Sequence, residues 1–339
     1  MRRSETPIID ELQINSFPVG TIHRRWLHLV SDGFGESIHI PVVIARGLEE
    51  GPVLGVTAAI HGNELNGIPV IQRLVRNLDP RLLRGTIIGA LTLNVPGLML
   101  HQRYFNDGTD LNRIAPGRPD GNVSEIYIHR LVQRLLPSLD YLIDLHTASA
   151  GRINSWYIRA DMDRKATARM ARLQNPDIIL HNTANDGTFR GTACSMGIEA
   201  ITLELRDPHI FQFDVIGDAL RGVENVMVDL DMIDSNGPRK VQSTIYCPDS
   251  FWLYSDDGGI LSIPVKIGQL LEKGQKMAEL RDIFGGLKKS YFAPEAGIVI
   301  GKSVDPIAQT GSRIIHLGRH PKNLDGFRMD KSLDQLHQI

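Results

Sequence analysis

Cysteine is nearly absent from this chain. Only Cys194 and Cys247 occur among 339 residues, in different contexts and without a metal-ligand spacing. That argues against a disulfide framework and fits a reducing compartment. Long hydrophobic runs are missing too: nothing approaches the about 18 consecutive apolar residues that a membrane-spanning helix needs. The opening Met1-Arg2-Arg3-Ser4-Glu5-Thr6-Pro7 leads into mixed polar sequence with no apolar signal core. The expected address is therefore the cytoplasm. Neither sign of charge dominates. A formal net charge of −2 makes no electrostatic case for nucleic acid or an anionic membrane. Internal repeats and low-complexity tracts are absent as well. What is present, 42% hydrophobic and 22% charged residues, describes a soluble globular chain. Its length suits one large domain or two ordinary ones.

The pattern along the chain predicts a β-rich stretch at 37–45, a strand at 53–60, a helix at 68–78 and a strand at 86–93. A long polar segment, 102–122, follows. A helix at 124–136 takes its N-cap from Asn122 or Ser124 and is stopped by Pro137. An apolar strand at 141–145 runs directly into His146. Then come a helix at 161–173, strands at 178–180 and 200–205, and a helix at 213–230. Short apolar strands alternating with helices imply an α/β fold with a mostly parallel sheet covered on both faces. After a polar linker at 234–240, residues 241–317 read as short strands with turn glycines. The expected division is an α/β catalytic domain over 1–236, a small β-barrel-like domain over 237–320 and a C-terminal tail over 321–339.

The chemistry centres on His61-Gly62-Asn63-Glu64, at a strand-to-helix turn where a His and a Glu three apart can face one metal ion. The intervening glycine frees the backbone for a sharp turn. A hydrolytic zinc site needs three protein ligands and one open position, and His146 is the best candidate for the third. Like His61 it ends an apolar strand, and ligands of open α/β sheets bind beyond the carboxyl ends of strands. Between them lie Gln102-Arg103-Tyr104 and Asp107-Gly108-Thr109-Asp110-Leu111-Asn112-Arg113. This segment reads either as a solvated loop laced with salt bridges or as a source of arginine forks for a carboxylate. Asp110 is placed to accept from the outer nitrogen of a metal-bound histidine. Glu204, in an apolar strand, is costly to bury unless paired or functional. Burial raises a carboxyl pKa, which suits a group that takes and returns a proton. An ordinary pair with Arg206 explains it equally well.

Taken together, His61-Gly62-Asn63-Glu64, Asp107-Gly108-x-Asp110-Leu111-Asn112-Arg113, Asp144-Leu145-His146 and Thr202-Leu203-Glu204 resemble the succinylglutamate desuccinylase/aspartoacylase family of the wider zinc carboxypeptidase group. The resemblance implies one zinc ion per chain, held by His61, Glu64 and His146. Glu204 then matches the general base acting on the zinc's water, and Arg103 the arginine that polarises the scissile carbonyl. Asn112 and Arg113 match the pair that grips a substrate carboxylate, with Asp110 behind the first zinc histidine. Arg190, in Thr188-Phe189-Arg190-Gly191, resembles a further substrate-contacting arginine, although its gap to Glu204 is longer here. Ile114-Ala115-Pro116-Gly117 departs from the family's Phe-Pro-Gly. The C-terminal strands resemble a lipoyl- or biotinyl-type barrel, with no lysine at the hairpin position a carrier domain would modify. They are expected to wall the active-site mouth.

The activity implied is hydrolysis of the amide bond of a small N-acyl amino acid, giving a carboxylic acid and a free amine. Family resemblance also allows a homo-oligomer. The rival readings are a zinc carboxypeptidase acting on short peptides and an inactive homologue that keeps the metal. The acyl group is not legible.

Overall fold

A computed structural model describes residues 6–184, 187–235 and 243–324. The expected tail from 325 onward and most of the 234–240 linker lie outside the described residues. Strands β1 (Ile8–Ile9), β2 (Thr21–Ser31), β3 (Ser37–Arg46), β4 (Glu49–Ala58) and β5 (Arg84–Ala90) open the fold. They are followed by β6 (Tyr141–His146), β7 (Arg152–Asn154), β8 (Trp156–Ala160), β9 (Ile178–His181) and β10 (Glu199–Leu205). The helices are α1 (Gly67–Asn77), α2 (Val95–Met99), α3 (Val123–Leu135), α4 (Lys165–Leu173), α5 (Phe189–Ser195) and α6 (Phe213–Asp229). Beyond them run β11 (Ile245–Cys247), β12 (Asp249–Tyr254), β13 (Gly259–Ser262), β14 (Leu270–Leu271) and β15 (Lys276–Arg281). The last strands are β16 (Leu287–Phe292), β17 (Gly297–Ser303), β18 (Ile307–Ala308), β19 (Arg313–Arg319) and β20 (Lys322–Asn323).

The large sheet has 11 strands in the order β1-β2-β3-β5-β4-β6-β10-β8-β9-β11-β20. Its centre, β5-β4-β6-β10, is parallel, while β2 and β3 are antiparallel additions and β8 runs against β10. The fold is thus α/β with a mixed sheet. One face packs the apolar side of α1, α4 and α6 around Val56, Ile143, Leu145 and Leu203. The other packs α3 and α5 around Ile60, Leu142 and Ala200. Each side chain fully buried in this way contributes roughly 1.5–3 kcal/mol. The start of α3 is specified locally: Asn122 accepts from Glu125 N–H, and the Glu125 carboxylate accepts from Asn122 N–H, satisfying donors the helix would otherwise leave open.

Two smaller antiparallel sheets, β12-β19-β17-β14 and β16-β15-β13-β18, enclose their own apolar core. The two regions are stitched together. Strand β7, which lies between β6 and β8 in the chain, pairs with β17 instead of joining the large sheet. Strands β11 and β20 add to the large sheet, and Tyr157, Cys247 and Ile300 share a small cluster at the joint. No helix among the described residues is long and apolar enough to cross a membrane.

Some elements differ from expectation. Helix α4 begins at Lys165 rather than 161, because Asp161, Met162 and Asp163 form a turn that Thr167 ties back through Asp161 O. Three short elements, β7, β8 and α5, carry too little periodicity to be read from sequence. At the His61 turn the left-handed residue is Ala59, with φ of 53°, not Gly62. Gly62 instead permits close approach: a Cβ there would lie 2.0 Å from the Gly97 carbonyl carbon.

Candidate metal centre and active site

Side chains alternate along a strand, and this period builds the site. On β6, Leu142, Asp144 and His146 share one face; on β10, Ala200, Thr202 and Glu204 do the same, with Glu204 beside His146 in register. On each strand the face changes from apolar at the start to polar at the carboxyl end. Strand β4 ends one turn earlier, and the chain beyond it is pinned by Leu93 N–H and Asn94 N–H donating to Ala58 and Ala59. That places His61 and Glu64 over the sheet edge next to His146.

The three side chains are almost fully buried, with 3%, 1% and 5% exposure for His61, Glu64 and His146. One donor atom from each lies within 4.8 Å of the others. Both imidazoles present Nδ1 inward: His146 Nδ1 stands 3.0 Å from Glu64 Oε2 and His61 Nδ1 stands 2.8 Å from Glu64 Oε1. His61 Nδ1 makes no hydrogen bond despite that distance. A buried nitrogen aimed at a carboxylate with unsuitable hydrogen-bond geometry is what a metal ligand looks like without its metal. The outer nitrogens are anchored. His61 Nε2 is 3.2 Å from Asp110 Oδ1, and His146 Nε2 is 2.8 Å from Asp144 Oδ2, which also accepts from Thr57 through its other oxygen. Carboxylates behind both histidines fix the orientation of the rings. The donor set fits a zinc ion.

The electrostatics agree. Burial pushes the Glu64 carboxyl up, but the charge of His61, the bond from His146 and the charge of His146 outweigh it and hold it well below its ordinary value. Burial likewise pushes His146 down, while Asp144 and Glu64 raise it well above normal. Asp110 is depressed by His61 and Arg103 against the opposing effect of its own burial. Glu64 and Asp110 are thus held as carboxylates facing the two imidazoles.

The remaining expected residues line the same cavity, whose volume is about 460 Å³. Arg103 donates through Nε and Nη2 to Asp110 at 3.0 and 2.8 Å, and through Nη1 to Glu64 at 3.2 Å and to Ser149. Asn112 is buried, its Oδ1 accepting from Phe189 N–H at 2.7 Å, and Arg113 follows it at the wall. Arg190, in α5, also faces the cavity and donates to Asn182. Glu204 is 12% exposed and takes Arg159 Nε and Asn154 Nδ2, each at 3.3 Å. The ordinary Glu204–Arg206 pair does not form; Arg206 bonds Asp214 instead.

Several residues had no role assigned from the sequence: Ser149, Arg152, Asn154, Tyr157, Arg159, Trp252 and Arg313 line the cavity, and Asp144 stands behind His146. Asp144 alone had a usable signal, two positions before His146 and so on the same strand face. Trp252 and Arg313 come from the C-terminal sheets, more than 100 residues from His146.

The model of the succinylglutamate desuccinylase/aspartoacylase catalytic domain matches residues 50–230, more than half of the chain. The N-alpha-acetyl-L-2,4-diaminobutyric acid deacetylase of Halomonas elongata is 26% identical over 294 residues, covering 82% of this chain and 85% of its own length. A succinylglutamate desuccinylase of Pseudomonas paraeruginosa is 31% identical over 195 residues, 53% of this chain and 56% of that one. Among solved structures, the product-bound ectoine utilization protein EutE (DoeB) of Ruegeria pomeroyi has the same fold. It superposes with a TM-score of 0.80 at 22% identity, covering 89% of this chain and 97% of that one.

Proposed function

This chain belongs to the succinylglutamate desuccinylase/aspartoacylase family, and from that premise we propose a zinc-dependent deacylase. It hydrolyses the amide bond of a small N-acyl amino acid or related compound to a carboxylic acid and a free amine. The names of its relatives, a deacetylase and a desuccinylase, support this reaction class. The observation that carries it is the buried convergence of His61, Glu64 and His146, each histidine backed by its own carboxylate, beside Glu204 in one cavity.

His61, Glu64 and His146 would hold one zinc ion. When bound, zinc supplies a Lewis acid and draws the pKa of a coordinated water towards about 7. Glu204 takes a proton from the attacking water and returns it to the leaving amine. Arg159 and Asn154 hold its carboxylate in a single orientation. Arg103 is fixed by Asp110, Glu64 and Ser149. That leaves it pre-set to stabilise charge developing on the carbonyl oxygen. Asn112, Arg113 and Arg190 receive the substrate's carboxylate. The expected setting is the cytoplasm.

The test is elemental analysis of the purified protein, with hydrolysis assayed on N-acyl amino acids against blocked dipeptides before and after chelation. One zinc per chain and chelator-sensitive release of free amine from the acyl compounds are expected. Faster cleavage of the dipeptides would make the enzyme a carboxypeptidase.

A further inference from the structure

Strand β4 leads into the metal turn, 61–66, and β10 carries Glu204, yet the two strands are not neighbours. Strand β6 lies between them, so the sheet links them only through β6. A second link runs over the end of β6, made by the chain that follows each strand. Beyond β10 that chain turns sharply: Arg206 and His209 both take left-handed backbone, with φ of 58° and 64°. Such residues persist only where their surroundings hold them. Arg206 O accepts from Ala148 N–H at 2.7 Å, just past His146. His209 N–H donates to Asn63 O at 3.0 Å, inside the metal turn.

Two side chains complete the link. Asn66 and Gln212 stand at the N-cap positions of α1 and α6, and neither caps its own helix. An asparagine there ordinarily accepts from a backbone N–H of the first turn. Asn66 instead reaches across. Its Nδ2 donates to Leu205 O at 2.8 Å and to Gln212 Oε1 at 3.1 Å, and its Oδ1 accepts from Gln212 N–H at 3.0 Å. Gln212 Oε1 also accepts from Asp207 N–H at 2.9 Å, and Nε2 donates to Asp207 Oδ2 at 3.1 Å. Asn66 is fully buried, and a buried amide bonded at both ends is held in one orientation. Beside it Gly67 lets α1 settle on the strands, since a Cβ there would lie 2.6 and 2.8 Å from the Cβ atoms of Leu145 and Ala58. The N-termini of two helices are thus tied to each other. One follows Glu64 and the other follows the strand of Glu204, and the shared anchor is the carbonyl one residue beyond Glu204.

We propose that Asn66 and Gln212 are positioning residues, a brace that sets Glu204 in its working place relative to the metal ligands. The inference rests on the deacylase reading, in which Glu204 carries the proton. Neither residue lines the cavity, so neither meets the substrate. Their effect passes through the backbone at Leu205 to Glu204, whose carboxylate is steadied further out by Arg159 and Asn154. The ligands have supports of their own: Asp110 and Asp144 behind the histidines, Thr147 and Ser149 on Glu64. Loss of the brace therefore shifts Glu204 and leaves the ligand set in place. A displacement of about 1 Å is enough to lower a rate about a hundredfold.

The zinc-loaded wild type, Asn66→Ala, Gln212→Ala and each change combined with Glu204→Gln are assayed on the N-acetyl or N-succinyl amino acid that the wild type cleaves fastest. Each single variant should lower kcat by about tenfold or more. KM, and zinc affinity read by competition with a chelator, should stay within about threefold of wild type. In the Glu204→Gln background the same changes should lower kcat by less than about twofold, because a residue that acts through Glu204 has nothing left to position. An unchanged kcat in the single variants, a loss carried by KM or zinc affinity, or an equal loss in the Glu204→Gln background overturns the assignment. Gln212 is only partly buried, so Gln212→Ala decides the matter if melting curves show that Asn66→Ala does not fold. If the wild type cleaves none of the compounds, the deacylase reading fails. Hydrogen exchange then still decides the brace: Gln212→Ala should speed exchange in the remote segment 61–66 by about fivefold or more, and unchanged exchange there overturns it.

Discussion

The two ends of the cavity solve opposite electrostatic problems. At the histidine end, the buried ionisable groups have assigned partners: Asp110 and Asp144 behind the imidazoles, Thr147 and Ser149 on Glu64. At the tryptophan end, the guanidinium groups of Arg152 and Arg313 lie against the Trp252 ring, with no ion pair to either among the described residues. The first arrangement pairs the outer nitrogens of both imidazoles and leaves the inward Nδ1 of His61 without a hydrogen bond, as a set of supported metal ligands would. The second sets cations beside one another at the cavity wall.

The sharpest way to break this comparison is at the histidine end. His146→Ala should lose the metal and reduce hydrolysis by roughly a thousandfold or more; full zinc content by elemental analysis would remove His146 from the ligand set. Next comes Glu204→Gln. It should keep zinc while lowering turnover by about 10²–10⁴-fold, the range for a general acid–base group. Near-normal turnover would take Glu204 out of the proton chemistry. Asp144→Asn keeps the shape but weakens the support of His146. Zinc affinity, read by competition with a chelator, should fall about 10–100-fold, with turnover at saturating zinc changed far less. An unaltered affinity would show that Asp144 serves only the fold.

The smallest effect probes the joint between the ends. In Gly301→Ala the new methyl displaces Asn154, which in turn supports Glu204. Losing a hydrogen bond to a charged group is worth about 1.5 kcal/mol, so turnover should drop about tenfold with zinc content intact. Overpacking should also lower stability by roughly 1–3 kcal/mol, measured by denaturant melts. Wild-type turnover with the expected loss of stability would limit Gly301 to packing.

Legibility in the sequence followed distance along the chain. The His61–Glu64 turn, the strand ending on His146 and the Asn122 cap are encoded within a few residues each, and the structure contains them. Asp144 could have been found by the same two-residue strand period. Glu204 was legible as an unusual carboxylate but not its partners, because Arg159 and Asn154 arrive on β8 and β7, whose runs of five and three residues carry no clear period. Arg190 was noticed without its helix, since α5 is only 7 residues long.

By itself the sequence determined which donors stand at the carboxyl ends of β4 and β6. Local hydrophobic patterning dictates where strands stop, and strand period dictates which side chains share a face. Only the tertiary structure decided what closes the cavity. The register row across β7, β17, β19 and β12, from Asn154 to Trp252, sets Asn154 beside strands that begin about 100 residues further along the chain. Such pairing is set by the docking of two cores and not by any local preference. The proposed metal ligands could be anticipated from short motifs; the arginines on Trp252 could not.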